Sequence, residues 1–372
     1  MRLKFNPLKI ILFVHPIKAV VNETINAVDL FCGVGGLTYG VQQAGINVVA
    51  GYDIDSRSQF AYEYNNDAKF ILKDVKDIDD KEINYLYPED TEIKVLMGCA
   101  PCQPFSNYSH RYKNNKSTIK KMDLLDYFGE QVKNVQPDIV SMENVPQMVK
   151  EPVFENFLDV LYDNGYKIDY KVVYAPEYGV PQKRKRLLLL ASKLGDIYLL
   201  PPQYDKENYP TLRDTIENLP KLSAGEIDKY DPLHRSRALS DLNMKRMRQS
   251  KPGGTWKDWD EELLLKAHKK ESGQSFKSVY GRLEWDAPSN TITTQFPGIG
   301  NGRFGHPEQD RALSLREGAM LQTFPRDYLF TQPELGGNYP IGQVALQIGN
   351  AVPPKLGEII GKSILKHLEK FS

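Results

Sequence analysis

The sequence predicts an α/β protein: a mostly parallel sheet with helices on both faces, plus a second, smaller domain. Three observations lead there. From residue 26 to about 192, short apolar runs rich in β-branched residues alternate with segments of helical spacing. Those runs are nearly continuous in apolar character, as strands covered on both faces require. After Ser192 the pattern breaks at Pro201-Pro202, and polar sequence with little periodicity follows through about residue 280.

Taken in order, Ala27–Phe31, Val48–Asp53, Lys94–Gly98, Asp138–Glu143, Ile168–Tyr174 and Arg186–Ala191 read as strands. Leu124, Leu125, Phe128 and Val132 share one helical face, as do Phe154, Phe157, Leu158 and Leu161. Leu356, Ile359, Ile360, Ile364 and Leu368 form a further stripe, with Pro353 and Pro354 at its start, where a helix tolerates proline. The division this predicts is an N-terminal extension of residues 1–23, a large domain of 24–192 plus 343–372, and a small domain of 193–342. The extension holds a short apolar stretch, Ile10–Val14, bracketed by Pro7 and Pro16, too short for a secretory signal.

Composition narrows the classes. Apolar residues at 41% exclude a disordered chain, and three cysteines (Cys32, Cys99 and Cys102) exclude a disulfide scaffold. So few cysteines point to a reducing, cytoplasmic setting. No apolar run approaches the ~18–20 residues of a membrane helix, so no membrane partner is expected. Forty-eight Lys and Arg balance forty-eight Asp and Glu, yet a local basic face is enough to hold a polyanion. Between Lys229 and Lys257, basic residues at 229, 235, 237, 245, 246, 248, 251 and 257 face only Asp231 and Asp241. By itself such a run is more often a solvated surface than a phosphate-tracking patch.

The first strand runs into Cys32-Gly33-Val34-Gly35-Gly36 before a helix. Glycines allow a tight turn, and the helix start offers free N–H groups. Twenty residues after Gly33, at the end of the second strand, stands Asp53, where an acid binds a ribose hydroxyl pair. Loop and acid together point to an adenosine-containing cofactor. The strand Lys94–Gly98 ends in Cys99-Ala100-Pro101-Cys102. The pattern admits a redox pair, a nucleophilic thiolate at a strand's carboxyl end, or inert buried cysteine. A zinc site lacks a second ligand pair, and no metal is expected. Residues 110–121 carry Arg111, Lys113, Lys116, Lys120 and Lys121 with no acid, in a stretch long enough for a lid. The next strand ends at Glu143, which could share a pocket with Cys102.

Six motifs in fixed order carry a resemblance: VDLFCGVGG (28–36), APCQPFS (100–106), MENVP (142–146), YGVPQKRKR (178–186), REGAMLQTFP (316–325) and QIGNAVPP (347–354). Together they resemble the C5-cytosine-specific DNA methyltransferases of restriction–modification systems, from about residue 26 to the C-terminus except near 195–275. The resemblance implies a Rossmann-like S-adenosylmethionine-dependent catalytic domain and a target-recognition domain. It implies S-adenosyl-L-methionine as methyl donor and double-stranded DNA as partner. A cognate restriction endonuclease would be a functional partner, and the enzyme would be monomeric. Phe31, Gly33, Gly35 and Gly36 would cradle the cofactor. Asp53 would bind its ribose, Ile54 pack on its adenine, Asp74 bond the adenine amino group, and Asn350 and Val352 close the pocket. Cys102 would be the nucleophile and Glu143 the acid facing cytosine N3. Arg184 and Arg186 would lie near O2, Glu143 and the phosphates, while Arg316 and Glu317 would brace the two domains. The family commonly has a Glu where Asp53 stands.

The implied chemistry has a clear logic. Thiolate attack on C6 makes C5 enamine-like, and the charge that develops on the ring needs a partner at N3. A base stacked in a duplex is out of reach, so it must be flipped out. Within this reading the basic stretch 229–257 belongs to the region that reads the major groove. Rival readings are a tRNA-methylating relative, against which the long basic variable region argues, and a catalytically silent nucleic-acid binder, against which the intact Cys102, Glu143 and Arg186 argue. A thioredoxin-like reductase is the third, and it would make Cys99 essential.

Overall fold

Leu187, Leu188, Leu189 and Leu190 are consecutive and all buried, so the strand that carries them is covered on both faces. A computed structural model describes residues 22–101, 124–274 and 277–371. In chain order the large unit contains β1 (Asn22–Leu30), α1 (Gly36–Ala44), β2 (Ile46–Asp53), α2 (Gln59–Asn65), β3 (Lys69–Leu72) and β4 (Ile93–Gly98). It continues with α3 (Leu124–Val135), β5 (Ile139–Asn144), α4 (Pro152–Asp163), β6 (Lys167–Tyr174), β7 (Gln182–Lys183) and β8 (Lys185–Ser192). The seven-stranded sheet has the order β3-β2-β1-β4-β5-β8-β6. Its first five members are parallel, and β8 runs antiparallel to both β5 and β6.

Alternate residues of the sheet feed two cores. Val28, Leu30, Leu96, Val140, Leu187 and Leu189 pack with Phe128 of α3 and Phe157 of α4. Ala27, Val48, Val95, Leu188 and Leu190 pack with Val41 of α1 on the other face. The last helix, α9 (Pro354–Leu368), joins that second core through Leu356, Ile359, Ile360 and Ile364. The apolar stripes read from the sequence are therefore the buried faces of α3, α4 and α9. β1 starts earlier than its apolar run, because Asn26 is buried as well. Its amide donates to Thr91 Oγ1 at 2.9 Å, and its carbonyl oxygen accepts from Asn47 at 2.6 Å. Those partners make a polar residue acceptable inside the sheet.

Between β8 and α9 lie α5 (Leu212–Ile216), α6 (Asp241–Gln249), β9 (Ser289–Asn290), α7 (Leu315–Leu321) and α8 (Ile341–Asn350). Most of this stretch is irregular, and its core draws on Leu212, Phe296, Leu313, Phe324, Tyr328 and Ile348. At its centre Arg311 and Glu317 are both fully buried and pair through two parallel 2.7 Å bonds. Glu317 also accepts from the Ser314 N–H at 2.7 Å, closing a capping box at the start of α7. Arg316 grips Asp231 and donates to the Tyr328 carbonyl at 2.9 Å. The Tyr328 hydroxyl donates to the Val34 carbonyl in the glycine loop. Neither member of the Arg316-Glu317 pair faces the cavity described below. Among the described residues, no helix is long and apolar enough to cross a membrane, and no group of three His, Cys, Asp or Glu side chains could hold a metal ion.

Burial alone would raise the Glu317 carboxyl, but the charge and bonds of Arg311, helped by His306, draw it down to about 2. A carboxyl lowered in this way contributes stability above its ordinary range, near pH 4.5, and that contribution is lost as pH falls toward 2. Glu317→Gln should therefore destabilise the fold by about 3–5 kcal/mol at neutral pH, because Arg311 is left buried and unpaired. Chemical denaturation across pH checks this: the gap between wild type and variant should narrow as pH drops below 4.5.

Candidate active site

Chain direction across the sheet reverses between β1 and β4, which are neighbours. β1 leads outward to β2 and β3, and β4 leads the other way to β5. Such a reversal leaves a crevice at the strands' carboxyl ends, where open α/β sheets bind ligands. A cavity of about 820 Å³ opens there. Phe31, Gly33 and Gly36 form one wall, Asp53, Ile54 and Asp74 a second, and Asn350 and Val352 come back from the C-terminal segment. Four stretches far apart in sequence thus meet in one hollow.

The glycine loop has a separate reason for each position. Gly33 and Gly35 have φ of +52° and +87°, a region that side chains disfavour. Gly36 sits so close to the C-terminal segment that a Cβ would fall 2.2 Å from the Val352 carbonyl oxygen. Gly35 does not line the cavity: it caps α1, faces Asn66 and sets the shape of the loop. Asp53 fixes the loop from below. Its carboxylate accepts from the Gly33 N–H and the Asp55 N–H, each at 2.8 Å, and burial raises its pKa. Ile54 is 69% exposed at the rim, an apolar surface open to a flat ring.

The charge balance of the cavity is telling. Among the described wall residues, the three cations are each neutralised: Arg57 by Asp55 at 2.6 Å, Lys73 by Glu82 at 2.5 Å and Lys76 by Asp74 at 2.8 Å. Deeper in the wall lies Asp29, which the sequence reading passed over. Thr38 donates to its Oδ2 at 2.7 Å, while Oδ1 is buried with no hydrogen-bond partner. Burial, with a contribution from Asp53, lifts this carboxyl to about 8. Its one sequence signal is an acid at the end of an otherwise apolar strand.

A second group of side chains gathers at the β4–β5 end of the same cavity. Glu143 of β5 is buried, and Arg186 of β8 brings Nε to 2.8 Å from its Oε1. That contact is an ion pair without an aligned hydrogen bond, which leaves Oε1 a free lone-pair direction. The Cys99 thiol donates to Glu143 Oε2 at 2.8 Å. Arg184 does not join them. Its N–H bonds back to the Gln182 carbonyl at 2.8 Å, which kinks the chain between β7 and β8, and its buried guanidinium donates to the Ile292 carbonyl at 3.2 Å. It therefore ties the strand to the β9 segment, while Arg186 alone reaches Glu143. Cys102 and the basic residues of 110–121 lie outside the described residues, directly after Pro101 of the cavity wall.

The basic run 229–257 splits in two. Arg246 is buried, donates to the Leu263 carbonyl at 2.9 Å and packs against Trp259 and Tyr280. Arg235 donates to the Gly337 and Tyr339 carbonyls. Lys229, Lys245, Arg248, Lys251 and Lys257 remain exposed. Two of the eight charges therefore hold the fold together.

Residues 25–366 match the model of the C-5 cytosine-specific DNA methylase family. The chain belongs to that family. Among its relatives, the type II methylase M.HgiDII of Herpetosiphon aurantiacus is 50% identical over 345 residues, covering 92% of this chain and 95% of the relative. The type II methyltransferase M.Sau96I of Staphylococcus aureus is 29% identical over 94% of this chain and 78% of its own length. The fold matches a DNA modification methyltransferase encoded within an Escherichia coli prophage (TM-score 0.69, 22% identity, 93% of this chain and 99% of that one). It also matches the Dnmt2 methyltransferase of S. pombe (TM-score 0.59, 16% identity, 94% and 99%). As a C-5 cytosine-specific DNA methylase, the chain is a DNA (cytosine-5)-methyltransferase acting on a specific sequence.

Asp29 gives this methylase a measurable pH signature. Its folded pKa is raised, so folding is favoured most below the ordinary aspartate range, and that benefit is lost as pH rises toward 8. The loss amounts to about 1.4 kcal/mol per pH unit. Asp29→Asn removes the ionisable group, so it should stabilise the ligand-free protein more at pH 7.5 than at pH 5. Melting temperatures of both proteins at the two pH values test it.

Proposed function

We propose that the chain methylates C5 of a flipped-out cytosine in a specific duplex DNA sequence, with S-adenosyl-L-methionine as donor, through a covalent bond between Cys102 and C6. The observation that carries this reading is that Cys99, which lines the same cavity as the glycine loop, bonds Glu143, itself paired with Arg186. The donor supplies an electrophilic methyl group on a sulfonium. The cavity suits such a cation: every basic side chain among its described wall residues is already paired, and the orphaned Asp29 oxygen offers a buried acceptor. A dinucleotide pyrophosphate would find no unpaired cation among the described wall residues.

In this reading Asp53 bonds the ribose with the lone pairs that its two backbone amides leave unused. Ile54 packs on the adenine, and Asp74 meets its amino group. Cys102 attacks C6. Glu143 is the acid facing N3: from the open side of Oε1 it donates a proton that offsets the charge developing on the ring, and it is left as the carboxylate. Arg186 holds that carboxylate and stabilises O2. Arg184 acts one step removed, by tying the arginine strand to the small domain. That small domain, residues 193–342, reads the DNA, and its exposed Lys245, Arg248, Lys251 and Lys257 meet phosphates. The large domain comprises 24–192 and 343–372. The protein works as a cytoplasmic monomer beside a cognate restriction endonuclease.

Trapping tests the mechanism. Duplex DNA with 5-fluorocytosine at the target should form a denaturation-resistant adduct in the presence of S-adenosylmethionine, because fluorine cannot leave as the C5 proton does. Cys102→Ser should give no adduct and no methyl transfer. Glu143→Gln should form the adduct far more slowly. An enzyme that methylates normal duplex DNA but never traps would exclude covalent catalysis, and methyl transfer confined to tRNA would move the substrate to RNA. Calorimetry supplies a separate check of the cavity: S-adenosylmethionine should bind and NAD should not.

A further inference from the structure

We infer that Cys99 is a positioning residue for the reaction: its thiol holds Glu143 Oε2 so that Oε1, the oxygen from which the proton reaches N3, faces the cytosine ring in a fixed orientation. The inference rests on the proposed role of Glu143. β4 and β5 are parallel neighbours with Gly98 opposite Met142, so the residues just beyond, Cys99 and Glu143, end side by side. The backbone of Cys99 is anchored on both sides. Its N–H donates to the Leu30 carbonyl at 3.3 Å, and the Ala100 carbonyl accepts from the Asn144 amide at 3.2 Å. With the main chain fixed, the thiol meets Glu143 Oε2 at 2.8 Å.

Arg186 cannot do this alone. It approaches Oε1 at 2.8 Å without an aligned hydrogen bond, so it neutralises the carboxylate but does not set its plane. A donor on the other oxygen removes the remaining rotation about the terminal torsion, which is otherwise broad. Bonds to a charged acceptor are the stronger class. Cys99 also lines the cavity while Glu143 is buried behind it, so the thiol acts from the cofactor side. The same contact gives Cys99 a role in the methylase without making it a redox partner.

Two substitutions separate positioning from packing. Cys99→Ala deletes the donor and Cys99→Ser keeps one. With duplex substrate, kcat of the Ala variant should fall about tenfold, the size of one charge-assisted bond. Its KM for DNA, its calorimetric affinity for S-adenosylmethionine and its melting temperature should stay near wild type. The Ser variant should regain kcat to within about twofold. In a Glu143→Gln background, where the acceptor is changed, Cys99→Ala should cause no further slowing of single-turnover adduct formation. Wild-type kcat in Cys99→Ala overturns the inference. So does a loss that serine fails to rescue, or an equal loss in the Glu143→Gln background. Failure of the Glu143 role itself would appear separately, as full activity of Glu143→Gln alone.

Discussion

Two buried glutamines hold the methylase in one piece. Gln182 donates to the Leu321 carbonyl at 2.8 Å and to Gln322 Oε1 at 2.7 Å, and its own Oε1 accepts from the Ile292 N–H at 3.1 Å. Gln322 passes the connection on to the Ile348 carbonyl at 2.7 Å. Four segments that are distant in sequence meet at this pair: the strand leading to Arg186, the β9 segment, α7, and the turn that carries Asn350 and Val352 to the cavity. Both side chains are fully buried, so each unmade bond would leave a polar group stranded in apolar surroundings. Register between the arginine strand and the cofactor cavity is thus set by amide geometry as well as by apolar contact, which specifies direction poorly.

The fold class was legible because burial on two faces leaves a mark that local sequence preserves. The leucine run of β8 and the stripes of α3, α4 and α9 are direct consequences of what each element touches. Strand order is another matter. Nothing in Arg186–Ala191 reveals that it inserts between β5 and β6 and runs against both, since that depends on how the 175–184 connection folds back. The two-residue strands β7 and β9 are too short to have a period. The positions of candidate site residues were legible where a motif names the residue, as with Glu143 and Asp53 at the ends of their strands. It was not legible where a residue's meaning lies in a distant partner. Arg246 looks like surface charge until Trp259 and Leu263 surround it. Arg184 looks like the twin of Arg186 until the kink at Gln182 turns it toward Ile292. Cys99 looks redundant beside Cys102 until Glu143 is seen next to it.

Polar groups in this protein divide between two kinds of task. Arg311 and Glu317 are fully satisfied by each other together with Gln309, Ala312 and Ser314, and are closed to any ligand. Asp29 is held by one oxygen, and Glu143 by a thiol on one oxygen and an ion pair on the other, so each keeps an oxygen without an aligned donor. A half-satisfied buried carboxyl group weakens the apo fold. Asp29 lines the cavity and Glu143 lies directly behind Cys99 of its wall, so the cost of leaving them open is confined to the region where binding can offset it.

The aromatic patch in the small domain has a different consequence. Trp256, Trp259 and Leu263 form a cluster of their own, apart from the larger core of Phe296, Phe324 and Ile348. Arg282 fastens this region to the rest by donating to carbonyls of Met247, Ser250, His306 and Gln309. A segment that packs on itself and attaches through main-chain acceptors is indifferent to most side-chain changes beyond its borders, because energetic coupling fades between residues that share no partners. Substitutions on its exposed surface should therefore couple only weakly to the catalytic scaffold.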